Sequence, residues 1–268
     1  MSLAGKIIVI TGGSSGIGKA LAELSLQQGA YVAVCARDME KLHAAFSDKP
    51  EVFKYQADVS KEDDCKKFIQ AVIGWKGGID VLINNAGMSM RALLHENSVS
   101  VLQRLMDVNF WGTVWCTTYA LESIKARKGV IVGVSSIAGY RGLPARTGYS
   151  ASKFAMQGFL EALRTELLQT GTHVMWVCPG FTASNIRNTA LGPGGIAQGE
   201  TPLQEEKLMS AETCAQIILN AVSRRKRTVV MTLQGKLTVW INKLFPSLAD
   251  KLVFNHFAKE PGSPLANT

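Results

Sequence analysis

Residues 6–18, Lys6-Ile7-Ile8-Val9-Ile10-Thr11-Gly12-Gly13-Ser14-Ser15-Gly16-Ile17-Gly18, carry an apolar, β-branched run without a break into glycines and then into a helical pattern over residues 19–29 (KALAELSLQQG). A strand, a tight turn and a helix in that order begin a βαβ unit. Glycine at the turn permits unusual backbone angles and close approach. The helix N-terminus behind it presents free N–H groups and a positive dipole end to a pyrophosphate. The spacing is GxxxGxG rather than GxGxxG, so the turn taken alone is equally compatible with an ordinary strand-to-helix connection.

The same alternation continues outward from this unit. After the first run, Lys6 to Thr11, further short apolar runs lie at Tyr31 to Ala36, Val52 to Gln56, Val81 to Asn84, Val130 to Ser135, His173 to Cys178 and Thr228 to Met231, with helical patterns between them. Short, almost continuously apolar strands are buried on both faces, so the pattern predicts an α/β fold: a doubly wound parallel sheet of about seven strands with helices on both faces. No repeat or linker divides the chain. Residues 1–232 read as one dinucleotide-binding and catalytic domain, and residues 233–268 as a helical tail of the same domain. Within it, Leu191 to Gln204 is rich in Gly and Pro. This stretch is either a plain surface excursion or a lid, and we expect a substrate loop at 185–209.

Composition bounds the function. Hydrophobic residues at 47% and charged residues at 19% are globular values that exclude a disordered chain. No apolar run of membrane-spanning length occurs, and the first ten residues read as a strand rather than a signal. Cys35, Cys65, Cys116, Cys178 and Cys214 are scattered, with no CxxC pair and no histidine at ligand spacing. Hence no metal site or disulfide framework is expected, and a reducing cytoplasm suits the chain. The net charge is +8, and its tightest basic cluster, Arg224, Arg225, Lys226 and Arg227, has no interleaved aromatics, which argues against nucleic acid as a partner.

Two further places carry chemistry. The second strand ends at Ala36-Arg37-Asp38, about twenty residues past the glycines, where dinucleotide folds read the adenosine ribose; an acid there favours NAD, whereas Arg37 suits a 2′-phosphate. Because Arg37 comes first, NADP(H) is expected over NAD(H), with Asp38 able to cap the next helix instead. The second place is Gly148-Tyr149-Ser150-Ala151-Ser152-Lys153 leading into a long helix. Four residues apart on a helix, Tyr149 and Lys153 share a face, and a nearby cation favours phenolate, making Tyr149 a usable general acid or base. Ser136, just past the fifth strand, emerges at the same carboxyl edge of the sheet, where its hydroxyl could hold a substrate oxygen; the alternative is a turn serine bonded to local backbone.

Together these motifs resemble the classical short-chain dehydrogenases/reductases. The resemblance runs from Gly5 to Met231 and rests on TGGSSGIG at 11–18, NNAG at 84–87, Asn109, Ser136, YSASK at 149–153 and Pro179-Gly180. It implies a single-domain Rossmann-type fold in which Tyr149 protonates the carbonyl oxygen, Ser136 orients it, Lys153 binds the nicotinamide ribose and supports the tyrosinate, and Asn109 holds a water of a proton relay. Gly12, Ser14, Ser15, Gly16, Ile17 and Gly18 would surround the pyrophosphate, Asp58 and Val59 the adenine, Asn85 and Gly87 the adenosine side, and Pro179, Gly180 and Thr182 the nicotinamide. Ser184 stands where the family often has threonine, which keeps the hydroxyl. Homodimers or homotetramers through helices near 107–128 and 147–170 are expected on the same ground.

A looser resemblance to the dehydrogenase/reductase and 11β-hydroxysteroid dehydrogenase-like subgroup implies a lipophilic carbonyl or alcohol as substrate. Members of that subgroup often have an N-terminal membrane anchor; none is expected from residues 1–10. Rival readings are a dehydratase or epimerase, or a nonenzymatic NADPH sensor, of the same fold. In the tail, Leu233 to Ala258 mixes apolar residues with lysines. A helix packed over the substrate site or at a subunit interface is the preferred reading, with peripheral membrane contact as the alternative.

Overall fold

A computed structural model describes residues 2–183, 185–199, 201 and 208–266. The sheet strands are β1 (Ile7–Thr11), β2 (Tyr31–Ala36), β3 (Phe53–Gln56), β4 (Val81–Asn84), β5 (Val130–Val134), β6 (His173–Cys178) and β7 (Thr228–Val230). All neighbours pair in parallel, in the order β3-β2-β1-β4-β5-β6-β7. The order reverses between β1 and β4, and a crevice at that reversal is where open α/β sheets bind ligands.

Alternation along the strands sorts the core into two layers. Ile8 and Ile10 of β1 face one layer with Leu21, Ile218 and Leu219, from helices α1 (Gly16–Gln27) and α7 (Ala211–Ser223). Ile7 and Val9 face the other layer with Phe68, Cys116, Met156 and Leu160, from α3 (Glu62–Lys76), α5 (Gly112–Ala126) and α6 (Thr147–Glu166). Each such aliphatic side chain removed from water contributes roughly 1.5–3 kcal/mol before entropy is set against it. Two shorter helices, α2 (Met39–Ala45) and α4 (Val99–Met106), complete the part before β5.

Four expected strands are one residue too long. β1 starts at Ile7: Lys6 O still accepts from Tyr31 N, but Lys6 N turns back to Leu3 O, Lys6 Nζ pairs with Asp80 at 3.1 Å, and the Asp80 carboxylate takes the Ile7 N–H at 3.0 Å. β3 starts at Phe53 rather than Val52, whose N–H closes a turn onto Lys49 O. β5 and β7 stop at Val134 and Val230; one more bond each, Ser135 N to Val177 O and Met231 N to Cys178 O, lets the chain peel away from the sheet. That departure carries Ser135 and Ser136 into the crevice.

Gly133 in β5 fixes how closely α6 lies on the sheet: a Cβ there would stand 2.4 Å from Leu160 Cδ1 and 3.2 Å from Met156 Sδ. Since α6 carries Tyr149 and Lys153, this contact sets the depth of both in the site.

The tail forms two helices, α8 (Leu233–Leu244) and α9 (Pro246–Ala258). Thr232 caps α8 by accepting from Gly235 N at 3.1 Å. The pair is tied to the body by Asn242, which donates to Tyr140 O and accepts from Arg141, by Asp250, which accepts from Arg141, and by Glu260, ion-paired with Arg91 and Arg146. Its large apolar side chains, however, stay outside: within the two helices only Gly235, Ala249 and Phe257 are buried. Within the chain Phe257 packs down on the protein, whereas Leu237, Trp240 and Leu244 are exposed, so the part of the expectation in which the tail packs over the site is met only for Phe257.

Candidate active site

A cleft of about 460 Å³ runs along the carboxyl edge of the sheet at the β1–β4 reversal. Every residue expected at the site lines it except Asn109; Ser184 lies outside the described residues.

The end of the cleft at the glycine turn is made of backbone. Gly12 has φ +70°, a left-handed conformation that L side chains rarely adopt. Gly18 is where the helix presses on the turn: a Cβ would fall 2.1 Å from Gly12 O. Asn85 locks this arrangement, its Nδ2 donating to Thr11 O at 2.9 Å and Gly12 O at 3.1 Å, while Thr11 Oγ1 accepts from Asn85 N and Ala86 N. Ser15, the residue before α1, makes no side-chain capping bond, and the first turn holds no acid. The N–H groups there are thus available to a phosphate, as the cradle requires.

Toward the adenosine end, Arg37, Asp38 and Lys41 line the rim. Asp38 is the N-cap of α2: it accepts from Lys41 N at 3.0 Å and pairs with Lys41 Nζ at 3.2 Å, and these bonds hold its carboxyl below the usual range. Asp58 is engaged in its own turn, accepting from Ser60 N and Ser60 Oγ. Val59 is packed under Gly112.

At the chemical end Tyr149, Ser136 and Lys153 share one wall. Burial raises the Tyr149 phenol above its ordinary value; a hydrogen bond to Ser136 and the charge of Arg146 pull the other way. Ser136 lines the cleft with Tyr149, and its Oγ accepts from Ala138 N at 3.2 Å, capping the short 3₁₀ turn Ile137–Gly139, the local role weighed for it. Lys153 is buried, its Nζ donating to Val134 O at 2.9 Å, and burial pulls its ammonium down to about 8. Lys153 Nζ stands 5.8 Å from the Tyr149 ring centre, while Ser136 and Arg146 are the groups that work against burial at the phenol. The i, i+4 spacing places the two side chains on one face, but the β5 carbonyl captures the ammonium.

Asn109 sits in a π-helical turn, Asp107–Trp111, between α4 and α5. Its Oδ1 accepts from Met88 N at 2.8 Å, and its Nδ2 donates to Met88 O at 3.0 Å and Ser152 Oγ at 2.8 Å. The side chain is fully engaged in holding the strand-β4 loop against α6. A comparable support is Gln157, which sequence reasoning missed: its Nε2 donates to Ser135 Oγ at 2.8 Å. Gln157 lies one helical turn beyond Lys153, and that spacing was its only signal.

Also missed were Arg146, Leu143, Met88 and Phe181, which line the cleft. From the expected loop, Asn185, Ile186, Arg187 and Thr189 reach the cleft, and Thr182, buried, donates from Oγ1 to Gly180 O at 3.1 Å. Farther on, Leu191 is anchored by two backbone bonds, from Leu191 N to Ser89 O and from Arg91 N to Leu191 O, and packs with Met90, Val101 and Leu105. Residues 200 and 202–207 of that loop lie outside the described residues.

A family model described as short chain dehydrogenase matches residues 6–191. The chain belongs to the short-chain dehydrogenase/reductase family. It is 35% identical over 250 residues to 11-beta-hydroxysteroid dehydrogenase-like 4A of Arabidopsis thaliana, covering 91% of this chain and 82% of the relative. It is 33% identical to Dehydrogenase/reductase SDR family protein 7-like of Anopheles gambiae, covering 92% and 81%. Two solved short-chain dehydrogenases, each 22% identical, share the fold. One from Burkholderia phymatum, in complex with NAD, has a TM-score of 0.82 over 92% of this chain and 96% of its own; one from Burkholderia cenocepacia, in complex with NADP, scores 0.80 over 94% and 99%. This short-chain dehydrogenase/reductase is thus an oxidoreductase of a family whose solved members hold either nicotinamide cofactor.

Proposed function

We propose that the protein is an NADP(H)-dependent reductase or dehydrogenase interconverting a ketone or aldehyde and an alcohol on a lipophilic substrate. The observation that carries this reading is that Tyr149, Ser136 and Lys153 line the same cleft as the Gly12–Gly18 cradle. A bound nicotinamide supplies the hydride; the chain's own residues handle the proton and the positioning. Burial keeps the Tyr149 phenol protonated, so in the reducing direction its O–H donates to a carbonyl oxygen while Ser136 Oγ holds that oxygen in place. Lys153 and Thr182 hold the ribose and carboxamide side, and Asn109 acts by positioning the Met88 wall.

Support for NADP(H) comes from Arg37 and Lys41 at the rim together with the engagement of Asp38 as a helix cap, which occupies the acid that a 2′-hydroxyl would otherwise use. Leu143, Met88, Phe181 and Ile186 in the cleft lining suit an apolar substrate, in keeping with the hydroxysteroid dehydrogenase name of the Arabidopsis relative. Exposed Trp111 and Phe154, on the segments expected to join subunits, suit a homo-oligomer built there. The test is titration with NADPH and NADH by nicotinamide fluorescence, then turnover on steroid, retinal, long-chain keto and small diketone panels. NADPH binding with oxidation by an apolar carbonyl is expected; binding without turnover would leave a sensor, and binding of neither nucleotide would overturn the reading.

A further inference from the structure

The outer face of α8 and α9 has no counterpart in the chemistry above. Along α8, Leu233, Leu237, Trp240 and Leu244 recur at i, i+4, i+7 and i+11, which is one stripe of a helix, and they are 73%, 52%, 62% and 57% exposed. Phe245, Leu248 and Leu252 continue the apolar surface into α9, again about half exposed. Contiguous exposure of this kind marks a surface that meets something less polar than water.

Charge says what that is. The exposed lysines Lys236, Lys243, Lys251 and Lys259 flank the stripe, Lys236 and Lys243 being one residue from Leu237 and Leu244. Between residues 233 and 260 the acids are Asp250 and Glu260, and both are ion-paired with arginines of the body, Asp250 with Arg141 and Glu260 with Arg91 and Arg146. With these acids paired to body arginines, the net charge the tail presents outward is positive. A second copy docking face to face would oppose lysine to lysine, whereas an anionic bilayer accepts the apolar stripe between acyl chains and the lysines among its headgroups. Among the described residues no helix is long and apolar enough to cross a membrane, so the contact is one of lying on the surface.

We propose that the α8–α9 face docks the protein on an anionic lipid surface. The docked face adjoins the substrate end of the cleft: Gly235 packs on Ile137, beside Ser136, and Glu260 holds Arg146 in the cleft wall. A lipophilic molecule leaving the bilayer would then reach Tyr149 along the protein's own wall.

The experiment is flotation of the full chain with vesicles of phosphatidylcholine alone and of phosphatidylcholine with about a third phosphatidylglycerol, where we expect about tenfold more association on the anionic vesicles at low salt and a several-fold loss near 0.5 M salt. Leu237→Glu with Trp240→Glu should abolish association, and Lys236→Glu with Lys243→Glu should remove its dependence on anionic lipid, both with NADPH binding and turnover of a water-soluble carbonyl unchanged. Equal association with both vesicle types overturns the anionic assignment. Absence of association, or a wild-type oligomer that Leu237→Glu with Trp240→Glu splits in gel filtration, overturns the docking itself and makes the face a subunit interface.

Discussion

The two ends of the cleft are built on opposite principles. At the glycine-turn end almost nothing protrudes: the walls are backbone, and what matters is the missing Cβ at Gly18, 2.1 Å from Gly12 O had it been there. At the chemical end the walls are side chains from distant segments, among them Tyr149 and Lys153, whose proton affinities are moved chiefly by burial. The first end tolerates no added atom; the second depends on single atoms that are present. Binding and chemistry should consequently fail separately.

The largest separation is expected for Tyr149→Phe, which removes one hydroxyl: turnover should fall about a thousandfold, with NADPH affinity within roughly twofold of wild type, as read by steady-state kinetics and fluorescence titration. If both fell together, the two ends would not be independent. The converse change is Gly18→Ala, whose methyl group must push the Gly12 carbonyl out of the cradle; NADPH affinity should drop by about a hundredfold, close to 3 kcal/mol, measured by the same titration. Arg37→Ala probes the rim, where losing a charge-assisted contact to a 2′-phosphate should cost NADPH about 2 kcal/mol, or some thirtyfold, while leaving NADH unchanged. Equal losses for both nucleotides would remove the case for NADP(H).

The smallest effect concerns stability. Lys153 carries its proton in the fold only up to about pH 8, whereas an unfolded lysine holds it to about 10.4. Between those values the unfolded chain binds more protons, so this residue's contribution to folded stability rises with pH, and its penalty is greatest below pH 8. Lys153→Met should therefore raise the Tm of the cofactor-free protein by roughly 5 °C at neutral pH, with the difference shrinking as pH climbs toward 10, followed by calorimetry. A lower Tm at neutral pH would mean that the Val134 carbonyl bond outweighs the desolvation of the ammonium.

How much of this was legible depended on the range of the interaction involved. The glycine turn, the Tyr149–Lys153 pair and the strand alternation are local patterns, and each was placed from its own few residues. Strand ends were read one residue too long at β1, β3, β5 and β7, since pairing partners such as Asp80 decide where a ladder stops. Arg146 went unseen because its partner Glu260 is 114 residues away. The i, i+4 spacing that put Lys153 beside Tyr149 gave no hint that the carbonyl of Val134, 19 residues back, would capture the ammonium.

By itself the chain determined the parallel α/β architecture, the glycine turn and the Tyr149–Lys153 spacing on one helix face, because hydrophobic periodicity and glycine placement act over a turn or a strand. Only the tertiary structure decided which groups tune Tyr149, that Asn109 braces the wall, and that the apolar tail faces outward. Each of those depends on burial and on pairs far apart in sequence, and desolvation acts on a side chain only once the rest of the fold has closed around it.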